Sequence, residues 1–128
     1  MRRDVNWRRL ASREKNSFMN SSSPDPEAAW HPFDDGRTLG QRGSEQGITV
    51  QDEEHICGAR ITLERDGSTA PSSITCGIYG LFVHTAFAAD EPEGLQKYAA
   101  MKVRLGQILV ADSPNVERQV SDFVNSFQ

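Results

Sequence analysis

Cysteine and histidine are the side chains of this 128-residue chain best suited to chemistry, and the candidates are Cys57, Cys76 and His84. A thiol acts as a nucleophile or redox centre only when a base or an electropositive neighbour holds it as the thiolate. Cys76 or Cys57 beside His84 or His55 would make such a pair. The two cysteines lack C-x-x-C spacing, and a buried cysteine commonly serves as a small hydrophobe. His84-Thr85 is a polar insertion in the apolar run LFVHTAF, where a histidine could serve as a general base or a ligand contact. Arg60 and Tyr79 are the other candidate ligand contacts.

Asp52-Glu53-Glu54-His55 brings carboxylates and an imidazole together, a donor set that suits several divalent metals. No recognised ligand spacing accompanies it, so a solvated turn between two strands is the preferred reading. Glycines 36, 40, 43 and 47 punctuate DGRTLGQRGSEQG. Their backbone N–H groups could cradle a phosphate, but the G-K-[ST] ending of a P-loop is missing and a strand, not a helix, follows. There is no serine-nucleophile elbow, zinc-ligand quartet or internal repeat, and nothing in the chain calls for a cofactor.

The elements that must position these residues begin with a hairpin. Cys57, Ala59, Ile61 and Leu63 alternate with polar or neutral residues, the period-two signal of a strand with one buried face. Asp66-Gly67 is a favoured tight-turn pair. A two-residue turn there would set Leu63 opposite Ala70, Ala59 opposite Ile74 and Cys57 opposite Cys76. Pro71 argues instead for an edge, a bulge or a longer loop through 68–73. Ile48–Gln51 reads as a short first strand. Leu81–Ala88 reads as a separate strand after a turn near Ile78–Gly80. Its apolar parity points Leu81, Val83 and Phe87 to one face and Phe82 and His84 to the other, and bulk on both faces suggests a central position.

Two helices follow. Asp90 can cap a helix over about 92–111, with acids in its first turn complementing the helix dipole, and Gly106 is a candidate for close contact with the sheet. Ser113-Pro114 restarts the chain. Val116, Val120, Phe123, Val124 and Phe127 then form an apolar stripe at helical spacing. That stripe must dock on the domain or on a partner, since so short a helix does not persist alone in water.

These elements predict an α+β domain over 36–128, a small antiparallel sheet of about four strands packed on two C-terminal helices. Residues 1–35 read as a disordered basic arm and a Ser/Pro-rich linker, with Met19 as an alternative start and with Trp30 and Phe33 folding back onto the domain. Residues 1–18 hold six of the 14 basic residues against Asp4 and Glu14, a net of +4, so the remainder carries −8 of the overall −4. An acidic body disfavours nonspecific nucleic-acid binding, and no window is apolar enough for a membrane span. Two cysteines without an export signal suit a cytoplasmic protein. With no catalytic constellation evident, the expected role is a noncatalytic binding or assembly module. Val120, Phe123, Val124 and Phe127 are then the candidate homodimer contact. The alternative is a small ligand-binding protein or enzyme using the Cys/His/Tyr cluster.

Overall fold

The computed structural model describes residues 25–111 and 114–128. Five strands form one antiparallel sheet in the order of the chain: β1 Trp30–Pro32, β2 Ile48–His55, β3 Ala59–Arg65, β4 Ser72–Ile78 and β5 Phe82–Ala88. Helices α1, Glu91–Ala111, and α2, Val116–Ser126, follow. The α+β class with two C-terminal helices on an antiparallel sheet is as expected. The residues assigned to the basic arm and Met19 lie outside the described residues. Trp30 and Phe33 do fold back, and Trp30 does so as part of a fifth strand, its residue paired opposite His55.

The core lies between the helices and one sheet face. Ala59, Ile61, Leu63, Ile74, Cys76 and Ile78 from the sheet meet Tyr98, Met101, Leu105, Ile108 and Leu109 of α1 in one buried cluster. Phe123 of α2 completes it, packing edge-on to Phe82 and against Phe127, with ring centroids 5.7 and 4.9 Å away. The terminal stripe is therefore spent largely on the chain's own sheet: Phe123 is fully buried, and Val116, Val124 and Phe127 pack partly against the same core. α2 begins at Val116, with Asn115 as its cap residue.

Local chemistry accounts for the other boundaries. Asp90 Oδ1 accepts the Glu93 N–H, while Glu93 Oε1 accepts the Ala89 N–H, so the α1 start is capped from both sides. Close contact between α1 and the sheet is made by Gly94, not Gly106. A Cβ on Gly94 would lie 2.7 Å from the Ser72 Cβ, whereas one on Gly106 would meet only the Trp30 indole nitrogen at 3.9 Å.

Four expectations about the strands need correction. The β3–β4 hairpin pairs Arg65 with Ser72, Leu63 with Ile74, Ile61 with Cys76 and Ala59 with Ile78. This is a four-residue slip from the Asp66-Gly67 register, made because the connection runs through Pro71 and closes with Asp66 N–H to the Pro71 carbonyl. An even slip preserves which residues face the core, but Cys57 does not oppose Cys76; it lies in the β2–β3 turn. On β5 the parity is reversed. Cys76 pairs with His84 and Ile74 with Ala86, so the even residues face the helices and Val83 is 79 % exposed. β5 is an edge strand, not a central one. Finally, Asp52–His55 is not a solvated turn: β2 runs through it, with Asp52 and His55 buried.

Phe123→Ala should destabilise the protein by about 3–5 kcal/mol, the usual range for emptying a buried phenylalanine site. Urea unfolding measures this; a loss under about 1 kcal/mol would show that α2 is not integral to the core.

Candidate functional site

The helices leave the opposite sheet face uncovered, and strand alternation fixes what stands there. On β2, a bulge at Val50 shifts the parity so that Asp52 and Glu54 point to this open face, while Glu53 and His55 turn beneath α1. Arg60, Thr62 and Glu64 of β3 stand opposite them, with Thr75 and Gly77 of β4 beyond. A cleft of about 700 Å³ lies over these strands, within the range typical of small-molecule sites. One wall is the β1–β2 loop, including Thr38 and Arg42; the other is the β4–β5 turn with Tyr79 and Leu81.

The β1–β2 loop is brought over the sheet by an unusual turn. Asp34, Asp35 and Gly36 have φ of 51°, 55° and 81°, three successive residues in the left-handed region. Aspartate tolerates that region better than most residues. The reversal sets the Phe33 ring against the Arg60 guanidinium, 3.5 Å from ring centroid to Cζ. Farther along, the glycine-rich segment does cradle an anion, but the anion is the chain's own. Glu64, fully buried, accepts the Gly47 N–H at 2.9 Å and the Glu45 N–H at 3.2 Å. Gly43 is required for this approach: a Cβ there would lie 2.3 Å from Glu64 Oε2.

Arg60 and Asp52 form the polar centre of the cleft floor. Arg60 Nε donates to Asp52 Oδ1 at 2.9 Å and Nη2 to Oδ2 at 2.7 Å, a bidentate fork. Thr38 and Thr62 hydroxyls donate to the same carboxylate at 2.8 and 3.0 Å. The Asp52 side chain is 1 % exposed and that of Arg60 38 %. The hydrogen bonds to Asp52 hold the Arg60 pKa above its ordinary value, against the opposing effect of burial. The Tyr79 hydroxyl donates to Glu54 on the same face.

Sequence reasoning named Arg60 and Tyr79, and both line the cleft. It did not bring in Asp52 as the partner of Arg60, nor Phe33 or Thr38. The i, i+2 placement of Asp52 and Glu54 was the available signal, but it has meaning only if the tetrad is a strand. The four tetrad residues split between two faces and cannot converge on one ion. Among the described residues no three His, Cys, Asp or Glu side chains are placed to hold a metal.

Cys76 and His84 are brought together as cross-strand neighbours, but under the helices. Burial pushes the Cys76 thiol up to about 12, away from a reactive thiolate. His84 Nε2 donates to the Phe127 carbonyl. Cys57 is buried in the β2–β3 turn, and no disulfide joins it to Cys76. Beneath α1, Glu53 accepts from the Tyr98 hydroxyl at 2.5 Å and from Lys102 Nζ, which also reaches Glu27 at 2.8 Å. Burial raises the Tyr98 pKa, and Glu53 adds to the shift. Burial alone would lower that of Lys102, but the two carboxylates outweigh it and hold it above its ordinary value.

His55 is buried against the edge of Trp30, with ring centroids 5.0 Å apart, and its Nδ1 accepts the Cys57 N–H at 3.0 Å. Among the described residues no helix is long and apolar enough to cross a membrane. No model of a known family, no curated protein and no solved structure matches the chain.

Burial, with a smaller contribution from His31, lowers the His55 pKa from its ordinary 6.5 to about 4. The unfolded chain therefore takes up a proton on His55 across that interval while the folded chain does not. The resulting stability is complete above pH 6.5 and is lost as the pH falls toward about 4. Between pH 7 and pH 5 the loss should be about 2 kcal/mol. Urea unfolding of wild type and His55→Asn at both pH values isolates it. Identical pH dependence in the two proteins would contradict the assignment.

Proposed function

We propose that this protein is a noncatalytic binding module that receives its ligand in the cleft on the helix-free face of the sheet. The observation that carries this reading is the separation of the cleft from the reactive side chains. Arg60, Thr62, Thr75 and Tyr79 line the cleft's open face, and Cys76 borders it through its place on β4, but strand parity turns the Cys76 and His84 side chains toward the helices, where Cys76 is buried. A preformed concave surface with a few oriented polar groups is what recognition needs. A nucleophile would need an activated thiolate within reach of a substrate, and the elevated Cys76 pKa argues against one.

Assembly through α2 has less support, since Phe123, the centre of its stripe, is already enclosed within the chain. Two buried cysteines outside any disulfide accord with a reducing compartment such as the cytoplasm.

Titration with the uncharged fluorescent probe N-phenyl-1-naphthylamine tests the reading. Saturable one-to-one binding is expected. Thr75→Phe, which fills the cleft floor, should weaken it by about ten-fold or more. Equal affinity in a variant with an unchanged circular dichroism spectrum would contradict it, as would absence of saturable binding by this probe together with its charged and neutral naphthyl relatives.

A further inference from the structure

We infer that the cleft takes a ligand with an apolar body and a carboxylate, and that Arg60 is the anchor for that carboxylate. This rests on the binding role proposed above and goes further by specifying the ligand's chemistry. The carboxylates of the open face are already engaged within the chain. Asp52 receives two guanidinium N–H groups and two hydroxyls. Glu64 receives the Glu45 and Gly47 N–H groups, and Glu54 receives the Tyr79 hydroxyl. An ammonium ligand would have to compete for acceptors that are occupied.

The donors are in the opposite condition. Arg60 spends Nε and Nη2 on Asp52, and its Nη1 has no hydrogen-bond partner among the described residues. Arg42, also lining the cleft, gives Nη1 to the Gln46 carbonyl at 2.6 Å, and its Nε and Nη2 have no partner among the described residues. Among the charged groups lining the cleft, the unspent hydrogen-bonding capacity is therefore cationic and donor-type; Gln41, Ser44 and Thr49 add only neutral groups. A carboxylate matches a guanidinium in charge and planar geometry.

Arg60 is also held ready. Asp52 fixes its fork, Phe33 covers one face of the guanidinium, and Thr38 and Thr62 fix Asp52 in turn. Little side-chain freedom remains to be lost when a ligand docks. Leu81, Val83 and the Tyr79 ring supply apolar and aromatic surface for the rest of the molecule, and a volume of about 700 Å³ admits a fused ring system.

The test compares 2-naphthoate with 2-naphthamide, which share a ring system and differ in charge, by amide chemical-shift titration of the full chain. Naphthoate should bind with shifts at cleft residues and about ten-fold or more tighter than naphthamide, as a hydrogen bond to a charged group predicts. Arg60→Gln should abolish that preference, and Lys97→Gln, on α1, should leave it intact. Equal binding of the two compounds by wild type would overturn the inference. So would a naphthoate preference that survives in folded Arg60→Gln. The wild-type comparison decides the matter even if Arg60→Gln fails to fold. Binding of N-phenyl-1-naphthylamine without a carboxylate preference would overturn this inference alone, whereas failure of all three probes would remove the binding role as well.

Discussion

Four consecutive titratable residues in the second half of a strand impose the constraint on which this structure turns. Each must be matched, because a charge or polar group taken out of water without a partner costs several kcal/mol. Pleating divides Asp52, Glu53, Glu54 and His55 between the two faces of β2. On the open face Asp52 takes Arg60, Thr38 and Thr62, and Glu54 takes Tyr79. Beneath α1, Glu53 takes Tyr98 and Lys102, and His55 takes the Cys57 N–H. The same strand thus ties the middle of α1 to the sheet and builds the polar floor of the cleft. The bulge at Val50 sets this division. Without it, Asp52 would lie under the helix, away from Arg60.

The buried carboxylates also organise the β1–β2 loop. Thr38 is tied to Asp52 and the 43–47 segment to Glu64, so two points on one loop are held to two neighbouring strands. Phe33 adds a third contact through Arg60. A long connection without regular structure thereby becomes a wall of fixed shape. Two of its glycines, Gly43 and Gly47, serve the protein's own carboxylate, so the anion cradled by this segment is Glu64.

Much of the scaffold was legible because its signals are local. The apolar stripe of α2, the Asp90 cap of α1 and the alternation of β3 each depend on neighbours within a few residues. The hairpin's inward faces were legible as well, since its true register differs from the two-residue-turn register by an even number. What failed were the non-local choices. Three residues of β1 gain strand character only from pairing with β2. On β5, Val83 looks like a core residue, and its exposure follows from a register set by the β4–β5 turn. The acidic tetrad looks like a solvated turn until its partners, up to 49 residues away, are in place. The site was legible in part for the same reason. Arg60 and Tyr79 stood out by type, but which face they share, and the removal of Cys76 and His84 from it, are consequences of register.

A double-mutant cycle on Asp52 and Arg60 measures this central claim most directly. If their fork braces both the sheet and the cleft, the unfolding free energies of Asp52→Asn, Arg60→Gln and the double variant should reveal a coupling of about 1.5–3 kcal/mol, as expected for a charge-assisted pair in one network. Additivity of the two substitutions to within about 0.3 kcal/mol would mean that the pair does not act as a unit, and the account of β2 as the organising strand would fail with it.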